Sequence, residues 1–354
     1  MRATTATWPG VWLAFSACAL PDNILAEREN ALIYGQDDRQ ELYTVFSEPA
    51  LQPAAAAVAV MIPRGQLQSA SDATVHVTAP TLAEAENLCH DEPFSGQPMA
   101  AVCTAVLIDD RLVASAGHCF ARATACSDHS FVFGFSYDDP SQPNELSALT
   151  AYGCERVLVR ANDLLATGPI RDFAIIELSD AVHDREPLAL GQLPLLRDQT
   201  LTVIGASGGI PLKIDRGGRV LDARSPMADF FVLDSDTFYG GSGAPVLDER
   251  AQLVGLFARG HEDYELSAAD GCKRVVHMPA GVQNAEQASY AAAAVAALCA
   301  SGYRSARLCG SASNRAGPVA CSLTRVAHAD GSWIGVVLLC AVMLRARVRR
   351  RSSR

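Results

Sequence analysis

The stretch AVCTAVLIDDRLVASAGHC, residues 101–119, constrains the fold more than any other part of the chain. An apolar run from Val102 to Ile108 meets the turn Asp109-Asp110-Arg111 and returns as Leu112 to Ser115, the pattern of a β-hairpin. Short runs of the same kind recur at 156–160 (RVLVR), 173–178 (FAIIEL), 201–206 (LTVIGA), 230–233 (FFVL), 244–248 (APVLD) and 253–260 (LVGLFARG). Gly, Pro and Asp turns separate them, and the chain holds 26 glycines and 18 prolines. Many short strands joined by such turns predict an all-β body built as barrels or sandwiches. A hydrophobic content of 49% over 354 residues is enough to bury a core. The body reads as continuous from about Ala31 to about Pro279, without internal repeat or long linker. Beyond it, Asn284 with Gln287 three residues on predicts a capped helix over Ala285–Ala300. A loose Ser/Ala/Gly stalk carrying Cys309 and Cys321 is expected over 301–330.

The formal charge of −10 conceals an asymmetry, because six arginines lie in the last ten residues. The rest of the chain sets 23 basic against 39 acidic residues, which excludes nucleic acid as an expected partner. Eleven cysteines without paired CxxC elements point to disulfides in an oxidising compartment rather than to zinc. Arg2, the apolar run Val11–Leu20 and the small residues Ala17-Cys18-Ala19 read as a signal peptide over 1–26. Phe15-Ser16-Ala17-Cys18 also loosely resembles a lipoprotein box, which would make Cys18 a lipid anchor. At the other end WIGVVLLCAVML, residues 333–344, runs into an arginine cluster. As a helix it spans only about 18 Å, short of the ~30 Å hydrocarbon core. A plain tail anchor is one reading. The preferred one is a sorting signal: Cys321, a polar spacer, the apolar segment and the arginines resemble the C-terminal signals of myxobacterial surface proteins, cleaved near the cysteine.

Three residue types for acyl transfer follow in order along the body. His118 ends the hairpin, Asp172 stands directly before the run Phe173–Leu178, and Ser242 lies in the turn Gly240-Gly241-Ser242-Gly243. A serine hydroxyl is a weak nucleophile at neutral pH and needs an imidazole to take its proton; a buried carboxylate fixes the imidazole tautomer. Asp163 and Asp180 compete with Asp172 as the acid, and each of the three residues has an ordinary structural alternative. The order His, Asp, Ser argues against an esterase of the α/β-hydrolase type, in which serine comes first.

The segments ASAGHC (114–119), DFAIIEL (172–178) and DTFYGGSGAPV (236–246) together resemble the trypsin-like serine peptidases of the secreted bacterial type, related to glutamyl endopeptidases. IYGQDDR (33–39), VIGASGGIPLKI (203–214) and LFARGHEDY (256–264) extend the resemblance over most of the body. It implies two six-stranded antiparallel β-barrels of the chymotrypsin-like fold, with the active site between them. It also implies a catalytic triad of His118, Asp172 and Ser242, an oxyanion hole from the N–H groups of Gly240 and Ser242, and no cofactor or metal. A family disulfide corresponds to Cys103–Cys119, which flank the hairpin; closing that loop is worth about 3 kcal/mol in the chain-entropy account. Setting aside Cys18, Cys321 and Cys340 leaves eight cysteines to pair, with Cys299–Cys309 a local candidate.

The sequence departs from the family in places. Animal members carry an aspartate before the serine that pairs with a new N-terminal ammonium; here that residue is Gly241, so that activation switch is absent. Asp236 matches the base of the specificity pocket, where a carboxylate would select Arg or Lys, but it equally fits a role accepting loop N–H groups. Phe257 stands where glutamyl endopeptidases place a histidine, which disfavours glutamate specificity. Ala258, Arg259 and Gly260 are expected along the substrate-binding edge. The expected organisation is a signal peptide (1–26), a peptidase domain (27–280, barrels about 31–185 and 186–280), a helix and stalk (281–330) and a hydrophobic, Arg-rich anchor or sorting signal (331–354). The function implied is an exported serine endopeptidase acting on polypeptides. It would sit at the bacterial surface or be secreted, touching the membrane through its tail until a sorting peptidase removes it. The alternative is a catalytically silent surface-binding module on the same fold.

Overall fold

The structure is a computed structural model that describes residues 33–70, 74–141, 146, 148–163, 170–225, 227, 229–278 and 286–310. All of these belong to the first of two compact units, Met1–Arg315 and Ala316–Arg354. The signal peptide, the tail and Cys321 lie outside the described residues. Among the described residues no helix is long and apolar enough to cross a membrane.

Six strands make the first lobe: β1 (Val58–Pro63), β2 (Cys103–Asp109), β3 (Leu112–Ser115), β4 (His129–Phe133), β5 (Leu149–Asn162) and β6 (Asp172–Leu178). They pair antiparallel in the order β6-β3-β2-β1-β4-β5, and β5 pairs again with β6, which closes the barrel. Closure leaves no free edge among the six. β1 and β2 are buried along nearly their whole length instead of at alternate residues. That burial requires apolar neighbours outside the barrel as well as inside it. The helices Leu51–Ala56 and Ala291–Ala300 supply some, bringing Leu51, Ala54, Ala294, Val295 and Leu298 into the same cluster as Val60, Val106 and Ile175.

The second lobe contains β7 (Thr202–Gly205), β8 (Lys213–Asp215), β9 (Val220–Asp222), β10 (Phe230–Leu233), β11 (Pro245–Leu247), β12 (Leu253–Arg259) and β13 (Glu286–Tyr290). Their order is β9-β10-β13-β12-β11-β7-β8, with the short strand Arg39–Glu41 added at the β8 edge. This sheet curls as a half-barrel beside the closed one, and the fold is all-β.

Two expectations near the C-terminus are corrected. Residues 286–290 form β13, not the start of a helix; they bond to β10 on one side and β12 on the other, and the helix begins at Ala291. Two ladders of hydrogen bonds outweigh the weak helical preference of so short a segment. Asn284 and Ala285, the expected cap and first residue, lie outside the described residues. The first ten residues of the expected stalk also belong to the body, since Leu308 is 3% exposed within the main core cluster. Eight cysteines are placed as four disulfide-compatible pairs: Cys89–Cys272, Cys103–Cys119, Cys126–Cys154 and Cys299–Cys309.

Candidate active site

His118 sits on a single 3-10 turn, Gly117–Phe120, that follows β3. Gly117 makes this seat possible. A Cβ there would fall 1.8 Å from the carbonyl oxygen of Ala161 on β5 and 2.8 Å from that of Phe173 on β6. The turn therefore lies directly on two strands of the barrel, beside the first residue of β6. That residue is Asp172, 1% exposed.

Asp172 grips the histidine at two points. Its Oδ1 accepts the main-chain N–H of His118 at 2.9 Å, and its Oδ2 lies 2.9 Å from His118 Nδ1. A carboxylate that accepts at Oδ2 requires Nδ1 to donate, so in the neutral ring Nε2 is left as an acceptor. The Asp172 main-chain N–H is bonded to Ser289 Oγ of β13, which fixes the carboxylate from the second lobe as well. Arg259 at the end of β12 turns its Nε towards the same Asp172 Oδ2 at 3.7 Å, with no hydrogen-bond partner for that nitrogen.

Ser242 is held by its main chain. The Thr104 N–H on β2 donates to Ser242 O at 2.7 Å, and Cys119 Sγ lies 3.9 Å from the same oxygen. That sulfur is paired with Cys103 and carries no proton, so the second approach is a packing contact. Among the described hydrogen bonds none joins Ser242 Oγ to His118. Thr104 does more: its Oγ1 donates to Gly240 O at 2.8 Å and accepts from Ala206 N at 3.0 Å. A fully buried threonine thus staples the serine loop to the first barrel.

The turn before Ser242 aims its N–H groups. Gly241 N donates to Phe238 O at 2.9 Å, and Gly240 has φ +84, the signature of a type II turn with glycine in its third position. The Tyr239 carbonyl accepts from Gly208 N at 2.7 Å and Gly209 N at 3.0 Å. Because a trans peptide is planar, the Gly240 N–H points away from that loop. Among the described hydrogen bonds neither Gly240 N nor Ser242 N is a donor, so both remain available to a ligand. Gly241 is packed as glycine: a Cβ would meet Thr237 Cγ2 at 2.4 Å and Phe238 O at 2.8 Å. The missing aspartate is therefore matched by a loop that has no room for it.

A cleft of about 280 Å³ opens beside Ser242, lined among others by Phe238, Phe257, Ala258, Arg259, Gly260 and Asp263. The three residues expected at the substrate edge are all there. Asp236 is not: it is 3% exposed, its Oδ1 accepts Tyr34 N and its Oδ2 accepts Asp38 N, both at 2.9 Å. Of its two sequence readings, the structure places it in the loop-clamping one. Burial raises its pKa to about 6 despite those two bonds. Asp215, which accepts Asp236 N at 2.7 Å, is raised to about 7 by burial and by the Asp236 charge.

Among the described residues the one cluster with metal-ligand proximity is Cys103, His118 and Cys119, and its two sulfurs face each other as a pair, leaving a lone imidazole. Sequence reasoning missed Thr104, Ser289 and the segment Tyr34–Asp38. For Thr104 a signal existed, a lone hydroxyl within the apolar run 102–108. Ser289 and Tyr34 act across 117 and 202 residues of separation, which no local pattern reveals.

A family model described as the trypsin-like peptidase domain matches residues 103–256, a span that contains His118, Asp172 and Ser242. Comparison with curated proteins gives no match. Among solved structures, a Glu endopeptidase in complex with MPD is 16% identical with a TM-score of 0.45, covering 76% of this chain and 98% of that chain. The inactive form of Rv3671c from M. tuberculosis H37Rv is 12% identical with a TM-score of 0.40, covering 75% and 98%.

Proposed function

We propose that the protein is an exported serine endopeptidase working through an acyl-enzyme. The observation that carries this reading is the two-point grip of buried Asp172 on His118, beside a cleft that Ser242 lines. In the reaction, Ser242 Oγ attacks the scissile carbonyl carbon while His118 Nε2 takes the hydroxyl proton. Asp172 stabilises the resulting imidazolium, and the N–H groups of Gly240 and Ser242 receive the oxyanion. His118 then returns the proton to the leaving amine as the C–N bond breaks. Water, deprotonated by the same imidazole, releases the acyl group from Ser242. Each oxyanion donor contributes about 3 kcal/mol in a comparable protease.

Export is supported by the leader-like N-terminus and by eight cysteines that pair two by two, a pattern suited to an oxidising compartment. The tail with Cys321 completes the proposal as a sorting signal that brings the chain to the cell surface. A catalytically silent binding module has one observation in its favour, the lack of a described bond between Ser242 Oγ and His118. Catalytic hydrogen bonds are often long in ligand-free sites and tighten when substrate binds. Treatment of the full chain with a fluorophosphonate decides between the two. Covalent labelling of Ser242 at neutral pH, absent in Ser242→Ala, is expected of the peptidase; a folded protein that stays unlabelled is the binding module.

A further inference from the structure

Among the described residues, Arg259 is the one cation of the half-barrel that reaches the Asp172 carboxylate. Its direction follows from an irregularity in β12. Phe257 pairs with Ala288 and Arg259 with Gln287, so β12 carries one residue more than β13 between those points. Such a bulge re-aims the side chains beside it. Phe257 stays in the core of the half-barrel, while Arg259 crosses to the first residue of β6 on the closed barrel. Its Nε is buried, makes no hydrogen bond and lies 3.7 Å from Asp172 Oδ2. Among the described ion pairs Asp172 is its only partner.

Asp172 needs a cation in one state of the site. It is 1% exposed, and the described donors to its oxygens are the main-chain N–H and Nδ1 of His118. While the imidazole is neutral those donors carry no charge, and a buried carboxylate without a cation is costly. A guanidinium keeps its proton throughout, so Arg259 supplies positive charge before any imidazolium forms. The spacing suits this task. At 3.7 Å the charges attract, yet no hydrogen bond forms that would draw Oδ2 away from Nδ1, which it meets at 2.9 Å.

The other charged groups around the pair are engaged elsewhere or face the cleft. Arg160 Nε donates to Gly117 O at 2.7 Å, Arg171 is paired with Asp163 at 3.0 Å, and Asp229 with Arg224 at 3.1 Å. Beside Arg259, Glu286 Oε1 accepts Tyr34 OH at 3.2 Å, Asp263 Oδ2 accepts Tyr239 N at 2.8 Å, and His261 and Glu262 line the cleft.

We propose that Arg259 is a positioning residue of the triad: its fixed charge holds Asp172 ionised, with Oδ2 towards His118, while the neutral imidazole waits to take the Ser242 proton. The proposal rests on the peptidase reading above and adds a fourth residue to its machinery, one that acts through Asp172. The same charge opposes a second positive group nearby and so disfavours the imidazolium. Loss of Arg259 should let His118 take a proton from solvent at higher pH, which narrows the working range on its acid side.

The test follows His118 in the full chain by NMR of ring-labelled histidine, from about pH 4 to about pH 9. The chain has eight histidines, and the His118 signal is the one missing in His118→Ala. In Arg259→Met the midpoint is expected about one pH unit above wild type, the scale of a neighbouring charge. Arg259→Lys, which keeps the charge, should stay within about 0.3 unit of wild type. An unmoved midpoint in Arg259→Met overturns the proposal, as does an Arg259→Lys midpoint that moves equally far. Should Arg259→Met fail to fold, Arg259→Gln takes its place under the same criterion. The rate of Ser242 labelling by fluorophosphonate gives a second readout: its acid limb should move up by the same unit. A lower plateau with an unmoved limb makes Arg259 a packing residue and overturns the proposal. If wild type is not labelled at any pH, the peptidase reading fails, and the link from Arg259 to His118 stands or falls on the NMR midpoint alone.

Discussion

The two lobes present their shares of the site by different means. On the closed barrel, His118 and Asp172 are held by packed main chain and apolar neighbours: Phe173, Ala174, Ile175 and Ile176 are all 2% exposed or less, and Gly117 lies flat on β5 and β6. On the half-barrel, the residues around Ser242 are loop, and loop N–H groups find no ladder partners. Carboxylates take that place: Asp236 accepts from Tyr34 and Asp38, Asp215 from Gly217 and Asp236, Asp263 from Tyr239. Buried main-chain donors must be satisfied one way or another. A strand ladder does so without charge, whereas a carboxylate does so while remaining titratable. The loop side should therefore respond to pH through these carboxylates as well as to shape.

Breaking the barrel side is expected to have the largest consequence. Asp172→Asn keeps the size of the side chain but lets its NH2 group face His118, reversing the tautomer and leaving Nε2 protonated. On the peptidase reading kcat falls about 10⁴-fold with the fold intact, as for the same change in a comparable protease. Stopped assays with the preferred peptide, alongside an unchanged circular dichroism spectrum, check this; a loss under about tenfold would make Asp172 a structural residue only. Gly117→Ala comes next. The new methyl meets the Ala161 carbonyl, the turn must lift, and His118 moves relative to Asp172. A displacement near 1 Å lowers kcat about 100-fold. Full activity in this variant would contradict the tight seat.

Much of this was legible in the sequence, and the limits follow the same division. The hairpin 102–115 and the strands at 173–178, 230–233 and 253–260 were readable because their apolar runs are long enough to show the pattern and the core covers them where expected. His118, Asp172 and Ser242 stood out because short runs on either side fix their neighbours. β13 was not readable: Glu286 and Gln287 before an alanine-rich stretch favour helix locally, and only pairing with β10 and β12 makes a strand of them. The same long range hid the clamp on Asp236, whose donors are 202 and 198 residues away. The sequence supplied Asp236 as an acid near the serine, but burial and main-chain partners decide which acid clamps the loop and which faces the cleft.

The smallest expected effect concerns the pH response of the loop side. Asp215 is buried on the loop side with a pKa near 7, against an ordinary value of 3.8, because desolvation and the Asp236 charge outweigh its two N–H bonds. With the folded value raised, the native state holds the proton more tightly than the unfolded chain between about pH 4 and about pH 7. Its contribution to stability is therefore full below the unfolded value and is lost as pH rises through the folded one. Asp215→Asn removes the titration and replaces one acceptor with an NH2 group. At pH 5 the variant should melt a few degrees below wild type, the scale of one buried hydrogen bond of about 1–2 kcal/mol. By pH 8 the wild type carries an uncompensated charge there, and the gap should narrow. Calorimetric Tm values at both pH values are the check: a constant gap would mean that Asp215 is ionised throughout, and that its burial leaves the loop side indifferent to pH.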